Sequence, residues 1–313
     1  MRCFVIILGL WLTAGLAVAQ QSAQYTQYIF NGLVINPAYA GSKEIWSLNA
    51  IYRDQWTGLE GAPKTQTFSA DGSLKQNKLG IGMQVINDRL GAQGQLSALV
   101  SGAVRMQVSE NGKLSFGLAG GATQYSLDGT MLRTTNPDPA IPNSKEVHIV
   151  PEAKAGLYFH TERFYSGISG VNLIPVKNQF LLTPERHYFL TAGYVFDLGE
   201  QVKIKPSFLV KDDFKSATSL DANLFVLFAD RIWVGGSYRT SLDLRGKAPA
   251  ERPLEMGNAL AGIAEIYLTP KIKLGYAYDI TLGGLRDYAG HEISLGYYVF
   301  KKDESQMLSP RYF

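Results

Sequence analysis

Four histidines are the side chains of this sequence best suited to acid–base or metal chemistry: His148, His160, His187 and His291. No two of them stand at the spacing of a zinc site. His291 is followed by Glu292 in an alternating stretch that predicts a strand, and neighbouring side chains of a strand point to opposite faces. A structural hydrogen bond is therefore a better interpretation of His291 and Glu292 than a metal or acid–base site.

Motifs for nucleophilic or phosphate chemistry are missing as well. The sequence contains neither G-x-S-x-G nor G-x-x-x-x-G-K-[ST], which mark the nucleophile of many hydrolases and the phosphate loop of nucleotide-binding proteins. The conspicuous carboxylates fall in separate predicted strands: Glu152, Asp221, Glu265 and Asp279. We therefore expect a protein that is not an enzyme, with no catalytic residues, no metal and no cofactor.

The amino-terminal residues predict an exported protein. Arg2 precedes an apolar run from residue 4 to 18, and Ala17-Val18-Ala19 has the small-x-small pattern of a cleavage site. We expect a signal peptide over residues 1–19. The single cysteine, Cys3, lies inside it, so disulfides and cysteine-bound metals are excluded from the mature protein.

Composition narrows the class further. The 313 residues include 32 glycines, 12% aromatic and 18% charged residues, with a net charge of +3 and a mean hydropathy of −0.04. The small net charge and the absence of Lys/Arg runs argue against a nucleic-acid partner. Beyond the leader, no apolar run is long enough for a membrane-spanning helix.

Hydrophobicity alternates with a period of two along most of the chain, as expected for strands with one apolar face. In residues 202–211, Val202, Ile204, Phe208 and Val210 share one face, and Lys203, Lys205, Ser207 and Lys211 share the other. Fourteen such strands are predicted, at residues 46–53, 64–73, 79–86, 95–108, 114–125, 151–159, 164–171, 187–196, 202–211, 220–228, 232–239, 259–268, 272–280 and 291–300.

The connections between these strands differ in length in a regular way. Long polar connections at 127–149, 172–186 and 241–258 alternate with short ones such as 75–78, 109–113 and 269–271. Long extracellular loops and short periplasmic turns are typical of outer-membrane barrels. We predict an all-β transmembrane antiparallel β-barrel of about 14 strands. A secreted β-sandwich or β-helix also alternates, but it would rarely place so many Lys, Arg and Gln opposite so apolar a face.

Two groups of residues are candidates for binding. Exposed aromatics beside a rigid proline turn make good anchors, so residues Tyr28, Phe30, Asn31, Asn36, Pro37 and Tyr39 could dock a periplasmic partner. Asn-Pro and Ala-Gly mainly specify turns, which favours a structural role in the lumen or at the rim. Where the first strand leaves the membrane, Arg53, Asp54 and Trp56 fit a lumen salt bridge better than a ligand site.

The segment QYTQYIFNGLVINPAYAGS, residues 24–42, resembles the start of the PorP/SprF family of type IX secretion proteins. Further blocks, including YRDQWTGLEGAPKTQTFSADG (52–72), LGIGMQVINDRLG (79–91) and GHEISLGY (290–297), are similar to the family over essentially the whole mature chain. The terminal SPRYF is similar too. Its Arg311, Tyr312 and Phe313 could form an assembly signal or a periplasmic docking tail, about a dozen residues after the last strand.

The resemblance implies a non-enzymatic outer-membrane barrel that supports secretion or surface attachment of a partner carrying a C-terminal sorting domain, including gliding adhesins. Expected partners are outer-membrane lipid and periplasmic type IX components. After the signal peptide we expect three segments: a periplasmic or lumenal segment over residues 20–41, the barrel over 42–300 and a C-terminal tail over 301–313. A passive channel or solute transporter is the alternative, because such a barrel could enclose water. An outer-membrane lipase is a weaker third interpretation that would need a Ser/His/acid cluster.

Overall fold

The computed structural model describes residues 26–132, 142–176, 185–244 and 258–300. In this part of the chain, fourteen antiparallel strands form a closed barrel. Their bounds are β1 Trp46–Asp54, β2 Lys64–Leu74, β3 Leu79–Leu90, β4 Gln93–Gln107, β5 Lys113–Asp128, β6 Lys145–His160, β7 Phe164–Val171, β8 His187–Tyr194, β9 Val202–Asp212, β10 Thr218–Phe228, β11 Ile232–Leu242, β12 Ala259–Thr269, β13 Ile272–Thr281 and β14 Ala289–Val299. After Val195, β8 resumes for the two residues Phe196–Asp197.

Each strand pairs with its neighbours in sequence, and the last strand closes on the first. The β1–β14 register runs from Trp46 opposite Val299 to Asp54 opposite His291. Closure leaves no free edge among the fourteen strands, which matters in hydrocarbon because an unpaired backbone N–H or C=O there costs several kcal/mol. The predicted barrel and its strand number are confirmed.

The two ends of the barrel differ in their connections. At one end, here called the turn end, tight turns such as 75–78 and 270–271 join the strands. At the other, the loop end, connections such as 129–144, 172–186 and 243–258 are long. Two strands are longer than the alternation predicts. β5 ends at Asp128 and β6 begins at Lys145, whereas the sequence suggested a loop over 127–149. Polar residues allow a strand to continue beyond the apolar band.

Alternate side chains face opposite sides of the barrel wall. Outward-facing apolar residues are well exposed, for example Val100 at 68% and Ile149 at 69%. Inward-facing positions on the same strands are buried and mostly small or polar, such as Ser97, Ser101 and Arg105. A wall that is apolar outside and polar inside matches a barrel whose outer face contacts lipid.

Outward-facing aromatic residues lie near the strand ends. Trp46 and Tyr297 are exposed at the turn end, and Tyr52 and Tyr278 are exposed near the loop end. Such rings suit the two membrane–water interfaces, where one side of the ring is apolar and the other wet. No helix among the described residues is long and apolar enough to cross a membrane.

The middle of the lipid-facing surface gives a direct test. Val100 lies at the centre of β4, opposite Met83 and Gly120 of the adjacent strands. We expect Val100→Arg to reduce the free energy of unfolding by about 2–4 kcal/mol, because a charge at the bilayer midplane is poorly solvated. The measurement is urea unfolding in lipid vesicles. Val100→Leu is the matched control, and equal stability of both variants would contradict a lipid-facing Val100.

Candidate functional site: the lumenal segment and the vestibule

Residues 26–45 run through the inside of the barrel and are here called the lumenal segment. The segment begins at Thr26, near side chains of the loop end, and reaches Ile45 at the turn end, directly before β1. It forms three short 3-10 turns, at Tyr28–Phe30, Gly32–Val34 and Pro37–Tyr39. Its side chains are almost completely buried, with Leu33 at 1% and Ala38 at 0% exposure.

The third turn follows from its local sequence. Asn36 is extended, and its side-chain oxygen accepts a hydrogen bond from the backbone N–H of Ala38 at 2.9 Å. Pro37 occupies the first position of the turn, where its fixed φ is favourable and its missing N–H costs nothing. The Asn36 amide nitrogen also donates to the carbonyl oxygen of Leu157 at 2.9 Å. One asparagine thus both starts the turn and fastens it to β6.

Glycines in the wall let the lumenal segment approach closely. A Cβ on Gly117 of β5 would lie 2.3 Å from the backbone nitrogen of Ala38. A Cβ on Gly80 of β3 would lie 1.9 Å from the carbonyl oxygen of Ala40. Real Cβ atoms do not approach backbone atoms this closely, so any larger residue at either position would push the segment from the wall.

Buried charges hold the loop-end part of the segment. Arg53 of β1 contacts Asp279 of β13 at 3.1 Å and Glu292 of β14 at 2.9 Å. The two carboxylate oxygens of Glu292 accept hydrogen bonds from the backbone N–H groups of Thr26 and Gln27, both at 2.9 Å. Charge-assisted hydrogen bonds of this kind are strong where water is excluded. This arrangement, the Arg53 cluster, ties the lumenal segment to three strands.

The remaining aromatic and polar residues singled out in the segment also face the wall. Tyr28 OH accepts a hydrogen bond from the Asn223 amide at 2.8 Å, and Asn31 donates to Ser69 Oγ at 2.9 Å. The rings of Phe30 and Phe225 meet edge-on with centroids 5.5 Å apart, and those of Tyr39 and Tyr158 at 5.3 Å. The contacts of these side chains therefore lie inside the barrel.

The other candidate residues have separate side-chain partners, although Asp54 and His291 lie opposite each other in the β1–β14 pair. Asp54 lies 3.7 Å from Lys64, and the Trp56 indole N–H donates to Thr281 Oγ1 at 3.1 Å. His291 contacts the Tyr276 hydroxyl at 2.8 Å, on the opposite face of β14 from Glu292. Arg311, Tyr312 and Phe313 lie outside the described residues.

The four conspicuous carboxylates each have a basic partner. Asp221 receives two hydrogen bonds from the Arg239 guanidinium, at 2.7 and 2.8 Å. The other pairs are Glu152 with Lys154 at 3.7 Å, Glu265 with Lys273 at 2.9 Å and Asp279 with Arg53 at 3.1 Å. Among the described residues no group of three or more His, Cys, Asp or Glu could hold a metal ion. The arrangement suits lumen charge pairing.

A cavity lies between the lumenal segment and the loop end, and we call it the vestibule. Its empty volume is about 820 Å³, counting the space continuous with solvent. Its apolar lining comes from Val34 and Ile35 of the segment and from Val171, Phe189 and Leu209 of the wall. Its polar lining includes the pairs Glu152–Lys154 and Asp221–Arg239, with Lys211.

Sequence reasoning missed the vestibule. Leu209 and Phe189 stand on the inward parity of their strands, where the alternation predicts polar residues. The detectable signal is the unbroken apolar run from Phe208 to Val210, since a strand that is apolar on both faces packs against something on each side. An apolar surface surrounded by charged groups can bind a partner whose apolar side chain has polar side chains next to it.

The Arg53 cluster allows a test of how firmly the lumenal segment is held. Removing one partner of a buried ion pair leaves uncompensated charge, so Arg53→Met should lower the free energy of unfolding by about 3–5 kcal/mol. Lys64→Met removes only the exposed pair with Asp54 and should cost less than about 1 kcal/mol. Denaturant unfolding in detergent measures both. If the two variants lost equal stability, the cluster would not anchor the segment.

Solved structures of outer-membrane proteins match this chain. The chain is similar to the outer membrane protein Omp33 of Acinetobacter baumannii, with a TM-score of 0.51 and 9% identity, covering 82% of this chain and 98% of that one. Salmonella typhi OmpF gives a TM-score of 0.38 and 10% identity over 82% of this chain and 99% of that one. At 9% identity the likeness to Omp33 concerns the fold alone. Among curated proteins, none matches.

A protein family also matches most of this chain. Residues 17–297, most of the chain, match the family described as type IX secretion system membrane protein PorP/SprF. That family and this fold are those of a secretion barrel and not of an enzyme class. With its closed sheet and apolar outer face, this integral outer-membrane protein belongs to the PorP/SprF family of the type IX secretion system.

Proposed function

We propose that this protein supports the secretion or surface attachment of a partner protein that carries a C-terminal sorting domain, and that the partner docks in the vestibule. A gliding adhesin is one candidate for the partner. Periplasmic type IX components are the proposed partners at the turn end. The role is that of a binding scaffold, without chemistry on the partner.

The observation that carries this proposal is the filling of the lumen by the protein's own chain. A barrel of this strand number can enclose a water-filled channel, but here Phe30, Leu33 and Tyr39 occupy the interior and pack against the wall. At Gly80 and Gly117 the backbone of the segment lies so close to the wall that no room is left between them. Such an interior suits a fixed scaffold better than a path for solutes.

The position and chemistry of the vestibule support its role as the docking site. In outer-membrane barrels the long loops face the cell exterior, so the loop end is the side on which a secreted partner arrives. Phe189 and Leu209 offer apolar contact, and the Asp221–Arg239 and Glu152–Lys154 pairs offer polar contact of both signs. Buried apolar anchors with a polar surround carry most of the affinity in protein interfaces.

A complementation experiment tests the proposal. Deleting the gene should remove one or two proteins from the cell surface if this chain serves a dedicated partner, and many if it is a core secretion subunit. Re-expression of the wild-type protein should restore them. Surface-proteome comparison of the strains gives the readout, and an unchanged surface proteome would refute the proposed role.

The same strains locate the docking site. Leu209→Glu should fail to restore the missing surface protein, because a carboxylate in the apolar lining costs free energy when a partner covers it. Leu209→Met, which keeps an apolar side chain of similar volume, should restore it. Heat-modifiable gel migration would establish that both variants form barrels. Full restoration by an assembled Leu209→Glu variant would move the docking site away from the vestibule.

Conductance distinguishes the scaffold from a passive channel. In planar bilayers we expect the wild-type protein to show no large, steady pore. Gly117→Val should open one, because its side chain would overlap the backbone of Pro37 and Ala38 and displace the lumenal segment. Gly120→Val is the matched control on the same strand, since a Cβ there meets nothing within 4 Å. A large, steady pore in the wild type would favour a channel.

A further inference from the structure

Buried charge is distributed unevenly along the lumen. In the loop-end half, the Arg53 cluster and the pairs Asp221–Arg239 and Glu152–Lys154 combine cations with carboxylates. In the turn-end half, the buried Lys, Arg, Asp and Glu side chains of the described residues are four cations, Lys43, Arg105, Lys205 and Lys273, and two carboxylates, Asp71 and Glu265. The turn-end half therefore carries an excess of positive charge.

Three of these four cations have polar partners. Lys273 lies 2.9 Å from Glu265. Lys43 donates to the Tyr298 hydroxyl at 3.3 Å, and Asp71 is near enough to interact with its charge. Arg105 donates to Ser115 Oγ at 3.1 Å and to the carbonyl oxygens of Asn77 and Ala40, both at 3.0 Å. The excess charge therefore centres on the fourth cation.

Lys205 of β9 is 1% exposed, and among the described residues its ammonium makes neither a hydrogen bond nor an ion pair. Its Nζ lies 5.2 Å from the centre of the Tyr165 ring and 5.9 Å from that of Trp233. Glu265 attracts the Lys205 charge from beyond ion-pair distance, whereas Lys273 and Lys43 repel it. Cation–π contacts offset only part of the cost of removing an ammonium from water, so this charge calls for an anion.

A cavity lies beside Lys205, between the lumenal segment and the wall. Its empty volume is about 420 Å³, counting space continuous with solvent, and its lining includes Lys205, Tyr165 and Thr191 of the wall and Asn36 and Tyr39 of the segment. Two polar side chains near Lys205 are already engaged, since Asn36 donates to Leu157 O and Thr191 donates to Phe208 O. The cavity thus offers one buried cation surrounded mainly by tyrosine side chains.

We propose that this cavity binds a small monovalent inorganic anion, a halide, against the Lys205 ammonium. A halide needs chiefly a compensating charge, whereas a phosphate or a carboxylate needs donors for several oxygens, and the Asn36 and Thr191 side chains are already engaged. Because the lining comes from both the lumenal segment and the barrel wall, the bound anion stabilises the packing of the segment against the wall. The site is independent of partner docking in the vestibule.

Thermal unfolding of the purified barrel in detergent tests the site. At constant ionic strength, the melting temperature should be on the order of a few degrees higher in sodium chloride or bromide than in sodium gluconate, and it should rise with the logarithm of halide concentration. Lys205→Met should abolish this dependence. Lys203→Met, on the same strand but paired with Asp230 at the turn end, should retain it.

Equal melting in halide and gluconate would overturn the proposal, and so would a halide response of Lys205→Met equal to that of the wild type. If Lys205→Met does not assemble, wild-type crystals soaked in sodium bromide provide the second measurement. An anomalous peak beside Lys205 Nζ supports the site, and its absence at high bromide concentration refutes it. Neither measurement depends on secretion of a partner, so the result stands apart from the proposed function.

Discussion

Closure of the sheet is the constraint on which the rest of the structure depends. A strand in hydrocarbon cannot leave its backbone N–H and C=O groups unpaired, so β14 must meet β1, and it does so over the full length of β1. Once closed, the wall fixes the width of the lumen, which is too wide for fourteen rows of mostly small inward side chains to fill. Residues 26–45 occupy much of this space. Their side chains therefore have to fit a lumen whose width is set by closure of the sheet.

The lumenal segment and the wall are shaped to each other at the backbone level. Gly80 and Gly117 remove side chains where the segment passes, while Asn36 supplies the hydrogen bonds that its own turn and β6 require. A segment held by apolar packing alone could shift along the lumen. The Arg53 cluster prevents this at the loop end, because both carboxylate oxygens of Glu292 bind consecutive backbone N–H groups, which fixes the position of the chain.

The alternation of side chains was enough to predict the strands, their number and their outer face, because lipid imposes one rule on every outward position. Inward positions follow no such rule. Residues Leu224 to Phe228 are all apolar, and only the structure shows that Phe225 and Leu227 face inward and that Phe225 packs on Phe30. Ion pairs were equally hidden, since Arg53 and Asp279 are 226 residues apart and meet only because the barrel closes. Sequence spacing describes neighbours along a strand and carries no information about partners across a lumen.

The course of the lumenal segment connects the two ends of an otherwise rigid wall. Val34 and Ile35 line the vestibule, and ten residues after Ile35 the chain reaches Ile45 at the turn end. A group bound in the vestibule would therefore contact a segment whose other end lies at the turn end. The strands are joined along their length by backbone hydrogen bonds. The lumenal segment has no such ladder and is held by separate side-chain contacts, so it is the element of this barrel best placed to couple its two ends.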